Sequence, residues 1–124
     1  MTYFNRLKID FEPSILTFNK LTELFGLIPI EKDDTDFNED IPSTWTYEVV
    51  ELENDPYYDF INNFLDILEP KYDELEAFSI KREDISFWHF YEYEQQCNLE
   101  FDPKRLKRLG DNEITLCISC WDKN

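Results

Sequence analysis

The chain has 124 residues, of which 28 are acidic and 12 are basic, so its formal net charge is -16 at pH 7. A field of this sign repels phosphates and anionic lipid headgroups, which argues against nucleic-acid and membrane binding and favours basic protein partners. Hydrophobic residues make up 42% of the sequence and aromatic residues 17%, so we expect one globular domain over residues 1–124, not a disordered chain.

A strand and a helix are predicted at the start of the chain. Apolar residues alternate with mostly polar ones from Tyr3 to Phe11, a period of two that is typical of a strand. Apolar residues then recur at helical spacing over about residues 14–25, and Gly26 supplies a left-handed stop. Residues 31–44 carry six acidic residues and one basic residue, which predicts a solvated, mobile loop.

A second strand and a second helix follow this loop. Alternation over Trp45–Val49 predicts the strand, and the change of parity at Val50 and Leu52 indicates a β-bulge. Asp55 before Pro56 is typical of a helix N-cap with proline at the first helical position, and helical apolar spacing continues from there.

Beyond Pro70, which interrupts this helix, residues 71–78 resume as a short helical piece. The stretch Ile85–Gln95 is the densest aromatic run and is predicted to be the inner strand of the only sheet. Aromatic residues occupy both parities of this strand, so both of its faces carry large apolar side chains. One face is expected to line the core. The other face then shows Trp88 and Phe90 to solvent or to a partner.

The last predicted elements are a short helix and a strand. Asp102 before Pro103 repeats the capping pattern, Gly110 closes the helix, and residues 114–121 alternate as a strand. The order βαβαβαβ predicts an α+β fold. We expect a two-layer sandwich in which helices pack on one face of a mostly antiparallel four-stranded sheet.

Five short motifs follow one another along nearly the whole chain. They are Phe11-Glu12-Pro13, Leu24-Phe25-Gly26-Leu27-Ile28-Pro29, Trp45-Thr46-Tyr47, Leu65-Asp66-Ile67-Leu68-Glu69-Pro70-Lys71, and Phe101-Asp102-Pro103 with Leu109-Gly110. In this order they resemble a bacterial family of small cytosolic proteins catalogued as domain of unknown function four-two-seven-nine. The resemblance implies no catalytic residues. The acidic loop after Pro29 departs from the family, whose members often carry glycine and basic residues there.

The cysteines and the apolar segments predict the compartment. Cys97, Cys117 and Cys120 form an odd set without a regular framework, so reduced thiols are expected. Cys117 and Cys120 have redox-motif spacing but lie in a strand pattern, and we interpret them as small apolar fillers. With no apolar run of signal-peptide or membrane-spanning length, the protein is expected in the cytoplasm.

No catalytic or metal-binding signature stands out among the polar residues. The only histidine, His89, lacks candidate partners for a triad or a zinc site, and a hydrogen-bonded structural role is expected. The carboxylate pairs lack the spacing of a calcium loop, and nothing distinguishes one pair as the acids of a glycosidase. We therefore expect no catalytic residues, no metal and no cofactor, and we rank an enzyme last.

The uneven distribution of acidic residues is the main functional signal. Residues 31–76 hold 16 acidic residues against two basic ones, which lets many carboxylates face one basic partner. The hypothesis is an acidic inhibitor, best motivated as a bacterial immunity protein, an antitoxin, that blocks the basic cleft of a toxin nuclease. The predicted contact residues, with three aromatic anchors taken to be exposed, are Glu31, Asp33, Asp34, Asp36, Glu39, Asp40, Trp45, Glu48, Glu51, Glu53, Asp55, Tyr57, Tyr58 and Asp59.

Two further interpretations stay open. The sheet face beside Trp88 and Phe90 fits a housekeeping domain that binds a small ligand or a peptide, for which a deep apolar pocket is the expected sign. The basic run at residues 104–108 is interpreted either as the solvated face of the third helix or as an internal electrostatic contact with the acidic segment. The sequence does not determine the oligomeric state.

Overall fold

The fold is given by a computed structural model that describes residues 2–30, 41–94 and 97–122. Within these ranges the chain forms four strands and four α-helices. They are β1 (Tyr3–Asp10), α1 (Ile15–Phe25), β2 (Thr44–Glu51), α2 (Phe60–Leu68), α3 (Tyr72–Ala77), β3 (Ile85–Tyr93), α4 (Pro103–Asp111) and β4 (Thr115–Asp122). Single 3-10 turns at Glu69–Lys71 and Arg82–Asp84 precede α3 and β3. Most of the predicted acidic loop, residues 31–40, lies outside the described residues.

The four strands form one sheet in the order β2-β1-β3-β4. β1 pairs antiparallel with both β2 and β3, so that Leu7 lies between Tyr47 and Phe87, whereas β3 and β4 are parallel. Parallel neighbours need a crossover connection, which α4 supplies. The mostly antiparallel sheet and the α+β class are confirmed, and β3 is an inner strand as predicted.

The two faces of the sheet differ because side chains alternate along each strand. One face carries the fully buried Leu7, Ile9 and Phe87, which pack with α2 residues such as Phe64 in a single core. The opposite face carries half-buried residues such as Trp88. The sheet is therefore covered by helices on one face, which is the predicted two-layer arrangement.

Helix α1 begins and ends as the sequence predicts. The Ser14 side chain accepts a hydrogen bond from the Thr17 N–H at 3.0 Å, and Gly26 adopts the left-handed conformation with φ of 64°. The helix directs Leu21 into the core, while Ile15, the first of the apolar residues at helical spacing, is exposed and not buried.

The predicted N-cap of the second helix is wrong. α2 begins at Phe60, and its N-cap is Asp59, whose carboxylate accepts from the Asn62 N–H. Asp55 instead accepts from the Leu52 N–H at 2.8 Å and closes a turn. The carboxylate of Glu51 holds the Tyr58 N–H at 2.9 Å, so the chain stays in a loop until Asp59.

Two smaller predictions are also corrected. The β1–β2 register is continuous over the whole of β2, so the change of parity at Val50 is not a bulge; Val50 lies on the uncovered face and Leu52 follows the strand. Gly110 lies inside α4 and does not stop it. Glu113, with φ of 58°, takes the left-handed position after the helix.

Candidate functional site

The predicted contact set is divided by the structure. Its six members in the acidic loop, Glu31, Asp33, Asp34, Asp36, Glu39 and Asp40, lie outside the described residues. Its members beyond residue 40 belong to β2, to the turn after it and to the start of α2. Glu48 and Glu51, three residues apart in β2, lie on opposite faces of the sheet, so these members do not share one surface.

Three of these acidic residues serve the protein's own fold. Glu48 pairs with Arg6 at 2.6 Å across the β1–β2 ladder. Glu51 is only 9% exposed and binds a backbone N–H. Asp59 caps α2 and contacts Arg105. Because their oxygens already have partners, these side chains contribute less to an outward negative field than the sequence indicates.

The three predicted aromatic anchors have three different outcomes. Tyr57 is 59% exposed, as expected. Tyr58 is half-buried and packs on Phe64, with ring centroids 6.0 Å apart, and burial raises the pKa of its phenol to about 12. Trp45 is 0% exposed, so its prediction as an exposed anchor is wrong; it lies opposite Ile9 on the helix-covered face.

The basic run of α4 makes the internal contact that was one of its two interpretations. Arg105 holds both carboxylate oxygens of Asp59 at 3.0 Å, and Arg108 contacts Asp66 and Glu69 at 2.7 Å each. Hydrogen bonds from the Arg108 guanidinium and from Asn112 lower the pKa of Glu69. Burial raises the pKa of Asp59, but hydrogen bonds from Arg105 and Asn62 outweigh it, and the net shift is downward.

Acidic side chains that the fold does not use in this way surround a groove beside α3. The groove measures about 670 Å³. We call it the α3 groove, and its charged lining residues are Asp73, Glu76, Lys81, Arg82, Glu83 and Glu113. Arg82 is already engaged, because it stacks on the Tyr72 ring and its Nη1 donates to the Asn112 carbonyl at 2.9 Å.

The acids of the α3 groove are available to a partner. All four are exposed, and so is Glu74, their neighbour on α3. None of them makes an ion pair within the parts of the chain that the structure describes. This negative surface was not among the predicted contact residues. In the sequence the acids of α2 look as available as those of α3, because their pairing with α4 depends on how the helices pack.

The uncovered sheet face is not a bare apolar patch. Trp88 and Phe90 stack with centroids 5.5 Å apart and are half-buried. The Arg6 guanidinium lies 4.9 Å from the Phe90 centroid, and the Lys8 ammonium lies 5.6 Å from the Trp88 centroid. Cations of β1 therefore cover the aromatic rings that were expected to meet a ligand.

His89 has the hydrogen-bonded position that was predicted for it. It is 5% exposed, and its Nδ1 lies 2.7 Å from Oδ1 of Asn5. Burial lowers the pKa of its imidazole to about 4. The role of Asn5 was not predicted, because it interrupts the apolar alternation of β1, yet it is completely buried.

The cysteines are unpaired. Cys117 lies on the uncovered face, where burial raises the pKa of its thiol, whereas Cys120 lies on the opposite face. The Tyr91 hydroxyl contacts the Cys97 sulfur at 3.2 Å. A hydrogen bond with Cys97, burial and a hydrogen bond with Cys120 all raise the pKa of the Tyr91 phenol.

Comparison with protein-family models, with curated proteins and with solved structures gives no match. No helix among the described residues has the length and apolarity needed to cross a bilayer.

Proposed function

We propose that this protein binds a basic protein and inhibits it by occupying a positively charged cleft. The described residues include 22 acidic and 10 basic side chains, a net charge of -12 even without the acidic loop. A field of this strength speeds the approach of a cationic partner and disfavours acidic competitors. This remaining negative charge is the observation that carries the proposal.

We place the main contact at the α3 groove. Its acids are exposed, and the nearby Arg82 is held by Tyr72 and Asn112, so it does not neutralise them fully. The acids of α2, in contrast, are paired with α4. Basic side chains entering the groove would form ion pairs without first breaking internal ones.

A toxin nuclease is the partner class that this chemistry fits best. The cleft of a nuclease is built for a polyanion, so an acidic surface competes with its substrate. The protein would then act as an immunity protein in the bacterial cytoplasm. Its three unpaired cysteines are consistent with a reducing compartment, and the resemblance to small bacterial cytosolic proteins points the same way.

Retention of basic proteins on the immobilised chain tests the proposal. We expect the native chain to retain a cationic protein that salt elutes, because ion pairing between exposed groups is screened. The triple variant Asp73→Lys, Glu74→Lys and Glu76→Lys should lose this retention, since it reverses the charge along α3.

The matched control reverses three exposed acids elsewhere, Glu12→Lys, Glu23→Lys and Glu92→Lys, and changes the net charge by the same amount. It should keep most of the retention. Equal loss in both variants would mean that net charge acts without a defined surface, and full retention by the α3 variant would refute the assignment to this groove.

A further inference from the structure

A second cleft, separate from the α3 groove, lies where the start of β1 and the end of β2 meet the beginning of α2. It measures about 250 Å³. We call it the His89 cleft. Its walls include His89 and Glu51 together with the aromatic residues Tyr3, Phe60 and Phe101.

The imidazole of His89 is fixed in this cleft. Its ring lies between those of Tyr3 and Phe60, with both centroid distances at 5.0 Å and interplanar angles of 16° and 8°. Nδ2 of Asn5 donates to the Val49 carbonyl at 3.3 Å, which turns Oδ1 of Asn5 toward the ring. Nδ1 of His89 is therefore the donor in its hydrogen bond with Asn5, and the neutral ring carries its lone pair on Nε2.

This lone pair faces the cleft. Nε2 makes no hydrogen bond within the described residues, where the only hydrogen bond of the ring is that of Nδ1. No buried side-chain nitrogen or oxygen in the described chain lacks a partner, so Nε2 must be accessible. His89 lines this cleft and is otherwise enclosed by packed rings.

The carboxylate of Glu51 provides a second acceptor. Its Oε1 takes the Tyr58 N–H, and by the same reasoning Oε2 is accessible. Glu100 adds another carboxylate to the lining, and no lysine or arginine of the described residues lines this cleft. The cleft thus offers acceptors and negative charge between aromatic walls.

We propose that the His89 cleft binds a guanidinium group, which donates hydrogen bonds to Nε2 of His89 and to the carboxylate of Glu51. A guanidinium is planar, carries five N–H donors and is more weakly hydrated than an ammonium, so it enters an aromatic cleft at lower desolvation cost. Its charge is matched by Glu51 and Glu100, and aromatic rings attract cations. The proposal does not depend on the function assigned to the α3 groove.

Imidazole nitrogen resonances provide a direct test, because the chain has one histidine. The chain, labelled with ¹⁵N in its histidine, is titrated with N-acetyl-arginine methylamide. The citrulline analogue, which has the same shape without the charge, is the control probe. We expect the Nε2 resonance to shift saturably with the arginine probe and to stay in place with the citrulline probe.

The variant Glu51→Gln keeps an oxygen for the Tyr58 N–H but removes the charge. It should weaken the arginine probe about tenfold, since hydrogen bonds to charged groups contribute more than neutral ones. Glu23→Gln, at an exposed position of α1 away from both clefts, should leave the affinity unchanged. Any of four results would overturn the proposal. They are an Nε2 resonance that does not move, an equal response to the citrulline probe, tighter binding of N-acetyl-lysine methylamide than of the arginine probe, and an undiminished affinity in Glu51→Gln.

Retention of cationic proteins by the Glu51→Gln variant shows whether the guanidinium belongs to a protein or to a small molecule. If Glu51→Gln as immobilised chain also retains less cationic protein, the cleft receives an arginine side chain of a protein. If retention is unchanged while the arginine probe binds, the ligand is a small free guanidino compound, and the guanidinium site itself is supported in both cases.

Discussion

At the scale of single residues, His89 shows how packing determines a protonation state. Its ring is stacked between Tyr3 and Phe60, and among the described residues only its Nδ1 has a hydrogen-bond partner. Charging the ring would place a cation at a residue that is only 5% exposed to water. Burial accordingly lowers the pKa of His89 to about 4.

We expect acid to destabilise the protein through this histidine. The pKa in the unfolded chain is near the ordinary value of 6.5, so below that pH the unfolded state binds the extra proton and the folded state does not until about pH 4. Stability is therefore complete above pH 6.5 and falls as the pH drops from 6.5 toward 4. The loss between pH 7 and pH 5 should be about 2 kcal/mol.

Urea unfolding at both pH values measures this loss. In His89→Gln, which has no titrating ring, the free energy of unfolding should change much less over the same range. An equal loss in the variant would show that the carboxylates near the ring, Glu51 and Glu100, are responsible instead.

Single residues also show what the sequence predicts and what it does not. The alternation around Trp45 correctly predicts a strand, yet it does not tell which parity the helices cover. Trp45 was assigned to the surface, but its Nε1 donates to Thr22 of α1 at 3.1 Å inside the core. That contact joins residues 23 positions apart, which local periodicity does not record.

At the scale of elements, the contact between α2 and α4 pairs the arginines of α4 with acidic residues in and beside α2. Arg108 reaches Asp66, Glu69 and the Asn62 side chain, so one guanidinium connects most of the length of α2 to α4. Glu69 also accepts from Asn112 beyond the end of α4. The contact is a network, and networks stabilise more than isolated surface pairs.

We expect Arg108→Ala to lower the free energy of unfolding by about 1 kcal/mol, a figure kept small because water screens the exposed partners. Lys104→Ala, on the exposed side of the same helix, should change it by less than about 0.5 kcal/mol. Chemical denaturation measures both. Equal effects of the two substitutions would contradict a structural role for the network.

The start of α2 allows a similar comparison. Asp59→Ala removes the N-cap and the partner of Arg105, and should cost about 1–2 kcal/mol. Asp55→Ala removes only a turn contact at an exposed position and should cost less than about 0.5 kcal/mol. If Asp55→Ala were the more destabilising, the helix would begin at Pro56, as the sequence pattern indicates.

The order of the elements was predictable, because strand alternation and helical spacing are local. The start of α2 was not. Asp55-Pro56 and Asp59 are both acceptable caps, and the choice depends on Glu51, which binds the Tyr58 N–H. The pairing of Asp66 with Arg108 could not be predicted either, because it depends on how α2 packs against α4.

At the scale of the whole molecule, acidic residues outnumber basic ones by more than two to one, so repulsion between carboxylates is not balanced by attraction. The internal ion pairs relieve only part of this repulsion, since acids such as Asp73 and Glu76 have no ion pair within the described residues. Composition therefore predicts the size of the field, whereas its distribution follows from the packing of α4 on α2.

We expect added salt to stabilise the protein. Raising NaCl from about 0.01 M to about 0.15 M shortens the screening length from about 30 Å to about 8 Å and weakens the long-range repulsion more than the short ion pairs. The melting temperature should rise, and it should rise less in the triple α3 variant, whose net charge is smaller. A fall in melting temperature would mean that the internal ion pairs dominate.

The central position of β1 has a consequence for synthesis. β1 is the first of the four strands to leave the ribosome, yet the β3 residues beside it are made much later, as the pairing of Tyr3 with Tyr91 shows. Such distant pairing is slow. Until β3 emerges, the nascent chain exposes one edge of its own middle strand, which any nearby extended polypeptide is able to join.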